Sequence, residues 1–224
     1  MQEGSLILLN YTARIKETGD VIETTLEDVA KSSKLYKEGT KYKPRLVALG
    51  KNWVLKSLDE ELLNLNVGDK KTIELTPERA FGPWNPTKVK VIPLRKFGDK
   101  AKDLQVGSEV EIDNQLGTII SIGSGRVQID FNDRLAGKTI IYDVEVVKEI
   151  TDFNEKVVTI LQRRLDIENP QFTFADGVLK IELPQEMYLM DGLQYVKRAL
   201  ANDYFSLVAE INEVQFTEKY QRKS

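Results

Sequence analysis

The sequence predicts an α+β protein with a half-open antiparallel sheet wrapped on a short helix. Two observations predict this sheet: apolar residues alternate along strand-like segments near residues 7–15 and 140–147, and one helical stretch lies between them. A third observation is that short strands separated by turn residues interrupt the pattern, which indicates a small β-rich insert. The periodicity becomes helical after Ile150 and predicts a C-terminal α-β-β-α-β domain. The expected domains are 1–86 with 133–150, then 87–132, then 151–224.

The first domain begins with a strand whose alternate residues share an apolar face: Ile7, Leu9, Tyr11, Ala13 and Ile15. Thr18-Gly19-Asp20 predicts a turn into a second strand. The elements expected next are a helical and loop segment over 26–43, strands over 45–49 and 71–75, a helix near 55–65 and a last strand over 140–147. On the last strand, Tyr142, Val144 and Val146 fall on one face.

The most informative stretch surrounds Val54 and Leu55. This apolar pair follows Gly50, and leucines continue at helical spacing until Gly68, which suits a helix end because glycine readily adopts a left-handed conformation. A short amphipathic helix laid across a sheet is therefore expected. The apolar residues at its start can form the floor of a pocket.

The insert begins after Pro83 and Pro86, and its expected strands cover 88–92, 109–112, 118–122 and 126–131. Two interpretations compete for it: a KOW-like nucleic-acid barrel, suggested by the run from Val106 to Ile120, and a plain small barrel with hairpin turns. The acidic overall balance and the scarcity of Lys and Arg after Gly107 favour the plain barrel.

The C-terminal domain is expected to open with a helix capped by Asp152 and Glu155. A hairpin with an Asp176-Gly177 turn, a helix from Pro184 to about Ala201 and a strand over 205–214 should follow. The second helix carries a broad apolar face: Met187, Leu189, Met190, Leu193, Val196 and Leu200. That face either contacts a partner, as in a homodimer, or packs on the domain's own sheet, and the second interpretation is favoured.

Composition narrows the chemistry. The chain of 224 residues has no Cys and no His, which removes thiol nucleophiles, disulfides and the commonest general base and metal ligand. No metal site or cofactor is expected. A net charge of −3 argues against a nucleic-acid partner, and no apolar run reaches transmembrane length. A cytoplasmic protein with no membrane partner is expected.

Several motifs in order resemble the SlyD-like branch of FKBP-type peptidyl-prolyl isomerases, including the long archaeal type. They are Tyr11, Gly50 with Val54-Leu55 and Leu58-Asp59, Val67-Gly68-Asp69, Ala80-Phe81-Gly82, residues 103–107, residues 132–138 and Tyr142 to Glu145. The resemblance covers residues 6–148 and implies a prolyl isomerase for unfolded or nascent chains. In this family the inserted module binds unfolded chains. A catalytically weak or inactive chaperone on the same fold is the alternative.

The resemblance also implies the site residues. The implied pocket walls are Tyr11, Ile22, Val54, Leu55, Leu58, Phe81 and Tyr142, and Glu23 is the polar member. The family usually has Phe-Asp at Ile22-Glu23 and Tyr at Phe81, so the missing hydroxyl at Phe81 implies reduced activity. In the insert, the apolar residues Ile92, Leu94 and Phe97 lie in the entry segment beside prolines and are predicted to contact extended polypeptide. The expected partners are unfolded or proline-containing polypeptides.

Overall fold

The computed structural model describes residues 1–220, so the last four residues of the predicted C-terminal domain lie outside the described residues. The chain forms two compact units. The first contains residues 1–14, 20–73 and the chain from 141 onward, and the second contains 15–19 and 74–140. Within residues 1–220 no helix is both long enough and apolar enough to cross a membrane.

One five-stranded sheet organises the chain before residue 150. Its strands are β1 (Leu6–Ile15), β2 (Val21–Thr24), β3 (Arg45–Ala48), β4 (Lys70–Leu75) and β9 (Ile140–Ile150), and the helices α1 (Glu27–Ser32) and α2 (Lys56–Leu62) connect them. The strand order is β2-β1-β9-β4, with β3 also paired to β1. Both β2 and β3 run antiparallel to β1. The alternating face predicted for β1 is confirmed, because all five of its residues are buried.

The second unit contains a four-stranded sheet. Its strands are β5 (Val89–Pro93), β6 (Glu109–Ile112), β7 (Gln115–Gly123) and β8 (Arg126–Asp130), in the order β5-β8-β7-β6. The expected barrel is wrong, because β5 and β6 lie at opposite edges of an open sheet. The segment Leu94–Lys102 forms 3-10 turns, and Leu94 and Phe97 pack against the sheet's apolar residues. These turns cover part of the apolar face that closure of a barrel would otherwise bury.

The C-terminal part contains α3 (Phe153–Arg164), β10 (Gln171–Ala175), β11 (Val178–Glu182), α4 (Leu193–Leu207) and β12 (Glu213–Thr217). The predicted cap is confirmed, because the Asp152 carboxylate accepts a hydrogen bond from the Glu155 backbone N–H at 2.8 Å. Strand β11 is central, antiparallel to β10 and parallel to β12.

Two predicted boundaries in this part are wrong. The helix expected from Pro184 begins at Leu193, because Gly192 adopts a left-handed φ of 78° that separates it from a 3-10 turn over Gln185–Met187. The strand expected over 205–214 begins at Glu213. Residues 205–207 instead continue α4, in which Leu200 and Tyr204 are fully buried.

One hydrophobic core joins the C-terminal part to the sheet. We call it the fused core, and its buried members are Leu6, Leu46, Ala48, Ile150, Val157, Ile160, Leu161, Leu165, Ile167, Leu179, Ile181, Leu183, Leu193, Leu200, Tyr204, Val208 and Ile211. Residues of β1 and β3 therefore share their packing with α3 and α4. Met187, Met190 and Val196 also pack against this core, so most of the predicted apolar face is used inside the chain.

Candidate functional site

Two tyrosines from adjacent strands form the centre of the candidate site. Tyr11 lies on β1 and Tyr142 on β9, and their ring centroids are 6.1 Å apart at an interplanar angle of 49°. Both side chains are buried, with 4% and 6% of their surface exposed. Alternation along each strand turns both rings to the same face of the sheet, and the tilted pair makes an apolar wall.

The Tyr11 hydroxyl is held by a charged pair. One Arg45 guanidinium nitrogen donates to the Tyr11 hydroxyl at 2.6 Å and to a Glu23 carboxylate oxygen at 2.9 Å. The β-sheet places these groups together, because Glu23 on β2 and Arg45 on β3 come from two strands that both pair with β1. The arrangement joins Tyr11 and Glu23, two residues that the sequence assigned to the site.

Burial raises the pKa of Tyr142 to about 12, and the Glu23 carboxylate adds to the shift. Burial, followed by a hydrogen bond to Glu23, also raises the pKa of Tyr11. A buried phenol resists ionisation because the phenolate loses its hydration. Both tyrosines are therefore neutral throughout the physiological pH range and present hydroxyl groups and apolar rings.

The predicted pocket floor begins where α2 starts. Leu55 precedes the first turn of α2 with extended backbone angles, Val54 and Leu55 are half-buried, and Leu58 is only 2% exposed. The Asp59 carboxylate, itself 3% exposed, accepts hydrogen bonds from the backbone N–H groups of Gly50 and Asn52 at 2.9 and 3.0 Å. This clamp fixes the tight turn that delivers Val54 and Leu55.

The remaining predicted residues occupy separate places. Ile22 is half-buried on β2, and Phe81 is half-buried just after a 3-10 turn of the second unit. In the insert, Ile92 is buried in the core of the sheet, while Leu94 and Phe97 are partly buried against that core. The roles assigned to these five residues remain predictions.

Sequence reasoning missed Arg45 and the role of α3 in the neighbourhood of the site. An arginine after Pro44 at the start of a strand carries no motif, so only the sheet register could reveal its partners. The Arg163 guanidinium of α3 lies over the Trp53 ring, 3.8 Å from the ring centroid, and Trp53 directly precedes Val54. Such stacking is worth about 0.5–1 kcal/mol at exposed sites.

A cavity of about 790 Å³ extends from Tyr11, Glu23 and Arg45 along the segment 40–46 to α3. Both sides of this cavity belong to the first unit. A separate cavity of about 800 Å³ lies in the insert between the 3-10 segment and β6. Within residues 1–220, no cluster of three or more acidic side chains is placed to hold a metal ion.

Comparison with known proteins decides the family. A short-type peptidyl-prolyl cis-trans isomerase of Methanocaldococcus jannaschii is 27% identical over 146 residues, covering 65% of this chain and 92% of that protein. A probable FKBP-type 16 kDa peptidyl-prolyl cis-trans isomerase of Pseudomonas fluorescens is 30% identical over 144 residues, covering 63% of this chain and 86% of that protein. The chain belongs to the FKBP-type peptidyl-prolyl cis-trans isomerase family. The predicted family and enzyme class are confirmed.

Two family models match the insert and the C-terminal part of this FKBP-type isomerase. A model described as the FKBP26 IF domain matches residues 90–135, and one described as the FKBP26 C-terminal matches residues 153–221. The SlyD isomerase of Aeromonas hydrophila is 29% identical over 144 residues, covering 63% of this chain and 61% of that protein. The solved N-terminal domain of FKBP42 from Arabidopsis thaliana overlaps with a TM-score of 0.36 at 16% identity, covering 67% of this chain and 76% of that one.

Proposed function

We propose that this FKBP-type isomerase accelerates cis–trans exchange of Xaa-Pro bonds in unfolded or nascent polypeptides. The observation that carries the proposal is the buried Tyr11–Tyr142 pair, whose Tyr11 hydroxyl is fixed by Arg45 and Glu23. Val54 and Leu55 supply further half-buried apolar surface from the clamped turn in the same unit.

Prolyl isomerisation suits a site with these groups because it needs no nucleophile, metal or proton transfer. The barrier of about 20 kcal/mol comes from amide resonance. In the twisted transition state this resonance is lost and the bond is less polar than the planar imide. An apolar wall therefore favours the transition state over the ground state, which is what catalysis requires. A neutral Tyr11 hydroxyl adds a polar group that can orient a carbonyl of the substrate.

The experiment is an exchange assay on short Xaa-Pro peptides, comparing the chain with its Leu55→Ala variant. Removing a half-buried leucine side chain costs roughly 1–2 kcal/mol of transition-state contact, so kcat/KM should fall by about 5- to 30-fold. Val67→Ala is the matched control, because Val67 is 51% exposed in the same unit, and it should leave the rate unchanged. If the unmodified chain shows no rate above the spontaneous one at saturating peptide, turnover is excluded and the alternative of a binding-only chaperone remains.

A holdase activity of the insert is the second part of the proposal. Its sheet exposes large apolar side chains: Val91, Leu116, Ile120 and Ile122 are between 37% and 61% exposed. Strands β5 and β6 are edge strands, and an edge strand can pair with an extended client chain. The insert cavity adds Ile92 and Phe97 to its lining, both of which the sequence assigned to polypeptide binding.

Suppression of aggregation of a denatured client tests the insert. We expect Leu116→Ser combined with Ile120→Ser to weaken suppression several-fold, since both apolar side chains are exposed and little folding energy depends on them. Val147→Ser, at a 41% exposed apolar position outside the insert, is the control. Equal suppression by all three proteins would remove the insert from the mechanism.

The predicted homodimer contact is proposed for the C-terminal part. Leu189 is 95% exposed and Tyr195 is 73% exposed, although their neighbours pack inward. Sedimentation of the full chain and of a Leu189→Glu, Tyr195→Glu variant separates the outcomes. A dimer that dissociates in the variant supports the contact, and a monomeric unmodified chain rejects it.

A further inference from the structure

The cavity beside Tyr11 has an unusual balance of charge for an acidic protein. Five of its lining side chains are cationic and one is anionic: Lys41, Lys43, Arg45, Arg163 and Arg164 against Glu23. The whole chain carries a net charge of −3. We call this cavity the basic groove. Its local charge is opposite to that of the molecule, which favours an anionic occupant.

Three of these cations are already neutralised by close partners. Arg45 pairs with Glu23 at 2.9 Å, and Arg164 pairs with Asp203 at 2.6 Å. Lys41 contacts Asp166 at 3.0 Å and Glu168 at 3.3 Å. The cations that remain available to an anionic ligand are therefore the other two, Lys43 and Arg163.

Lys43 and Arg163 carry the excess positive charge. Lys43 is exposed and has no ion-pair partner within residues 1–220. Arg163 lies 3.9 Å from Asp203, whose carboxylate is engaged more closely by Arg164. The pKa of Arg163 is lowered by burial and by the neighbouring charge of Arg164, as expected where a cation is incompletely balanced.

The basic groove is also well placed and partly pre-ordered. Its lining includes Tyr11, Glu23 and Arg45, so a chain bound at the candidate prolyl site can continue into it. Stacking on Trp53 restricts the Arg163 guanidinium before any ligand arrives, which lowers the entropy lost on binding. Guanidinium groups suit carboxylates because their N–H donors match the two carboxylate oxygens.

We propose that the basic groove binds a carboxylate side chain of the client polypeptide flanking the proline, through Lys43 and Arg163. This inference rests on the proposed isomerase function and adds a substrate preference to it. The C-terminal part then contributes to substrate selection through α3. The preferred clients are proline segments with an Asp or Glu within reach of the groove.

The test uses the full chain and peptide pairs that differ only by Glu or Gln, with the substituted position moved from four residues before to four residues after the proline. Exchange spectroscopy measures the cis–trans exchange rate of each peptide without a coupling protease, and these rates give kcat/KM. At one or more positions we expect the Glu peptide to be preferred by about two- to fivefold, the range of a partly exposed ion pair. The preference should shrink at 0.5 M salt, because added ions screen exposed charges.

Variants assign the preference to the groove. Lys43→Gln combined with Arg163→Gln should bring the Glu-to-Gln ratio to about one, and Lys43→Glu should favour a Lys peptide instead. The control Lys180→Gln removes an exposed cation from β11 and should keep the original ratio. Since Lys43 is exposed, the Lys43→Glu result remains informative even if changes at Arg163 disturb folding.

The outcomes separate the two proposals. Turnover of all peptides with equal rates for Glu and Gln at every position overturns the groove and leaves the isomerase intact. A preference that survives in the Lys43 and Arg163 variants also overturns it. If no peptide is turned over, the isomerase proposal fails, and fluorescence anisotropy of the same peptide pairs decides whether Glu peptides bind more tightly.

Discussion

The fused core and the core of the insert differ in how many structural elements and buried residues form them. The fused core draws on β1, β3, α3, α4 and the C-terminal sheet, and it buries Leu161, Leu200 and Tyr204 completely. The insert has four buried core residues, Ile92, Ile119, Val127 and Ile129, with partly buried side chains around them. A core built from several packed elements buries most of its apolar residues, and these stabilise the fold. A single-layer sheet instead leaves part of its apolar surface facing solvent.

The difference implies different uses for the two additions to the FKBP-type domain. The C-terminal part cannot be removed without exposing Leu6, Leu46 and Ala48 of the sheet that carries the candidate site. The insert is attached through a compact base, where Asn85 and Asn132 exchange two hydrogen bonds of 2.9 Å and Trp84 donates to Asp130 at 2.7 Å. The C-terminal part therefore shares its core with the sheet that carries the candidate site, whereas the insert keeps exposed apolar surface for the client binding proposed above.

Leu161→Ala leaves a cavity in the fused core and should lower the free energy of unfolding more than any other change considered below. Leu161 is fully buried, and such truncations cost about 2–5 kcal/mol because they leave a cavity as well as losing burial. Trp53 packs against the fused core and reports its unfolding by fluorescence once Trp84 is replaced by Phe. Peptide exchange activity should disappear at the same temperature as the Trp53 signal. Activity that survives past this transition would show that the C-terminal part and the site unfold separately.

Ile129→Ala makes the matching change in the insert. Ile129 is also fully buried, but its surroundings are thinner and can collapse or admit water, so the cost should lie near the lower end, about 2 kcal/mol. Trp84, which lies in the second unit, is the reporter after Trp53 is replaced by Phe. The transition of Trp84 should move down while peptide exchange by the first unit stays within about twofold. A matching shift of the Trp53 transition would show that the two cores unfold together, against the expectation.

Tyr11→Phe tests the hydroxyl that Arg45 and Glu23 hold in the first unit. The ring and its contact with Tyr142 remain, and only hydrogen bonds worth about 0.5–1.5 kcal/mol are lost. Peptide kcat/KM should fall by up to about tenfold, with the Trp84 transition unchanged. The control is Tyr36→Phe, because Tyr36 is 43% exposed outside the candidate site. An unchanged rate in the Tyr11→Phe variant would show that Tyr11 contributes only its apolar ring to catalysis and not its hydroxyl.

The sequence predicted best where a local rule decides the structure. Alternation located the buried face of β1, and Asp176-Gly177 formed the expected turn with φ values of 52° and 78°. The start of α4 was missed because Gly192, which ends one turn and opens the helix, was read as part of a longer apolar helix. Arg45 and Arg163 could not be predicted, since their roles depend on which strands and helices become neighbours.

Alkaline pH should lower the free energy of unfolding of the first unit more than that of the insert, and this is the smallest of the expected effects. All eight tyrosines of the chain belong to the first unit, and none lies in the insert. Burial raises the pKa values of Tyr11 and Tyr204 and raises that of Tyr142 to about 12. In an unfolded chain the same groups ionise near pH 10. Above that pH the unfolded state binds fewer protons than the folded state, so the free energy of unfolding decreases as pH rises.

This contribution is fully present below pH 9, begins to be lost near pH 10 and, for Tyr142, is lost as the pH approaches 12. At pH 10 the part already lost amounts to about 0.4 kcal/mol for each buried tyrosine. Urea unfolding between pH 8 and 10.5 should therefore shift the Trp53 transition to lower urea, while the Trp84 transition moves less. Tyr204→Phe removes a buried hydroxyl that donates to the Val157 carbonyl at 2.8 Å and should make the Trp53 shift shallower. Equal shifts of both transitions would place the alkaline sensitivity in the lysines, which both units contain, and not in the buried tyrosines of the fused core and the site.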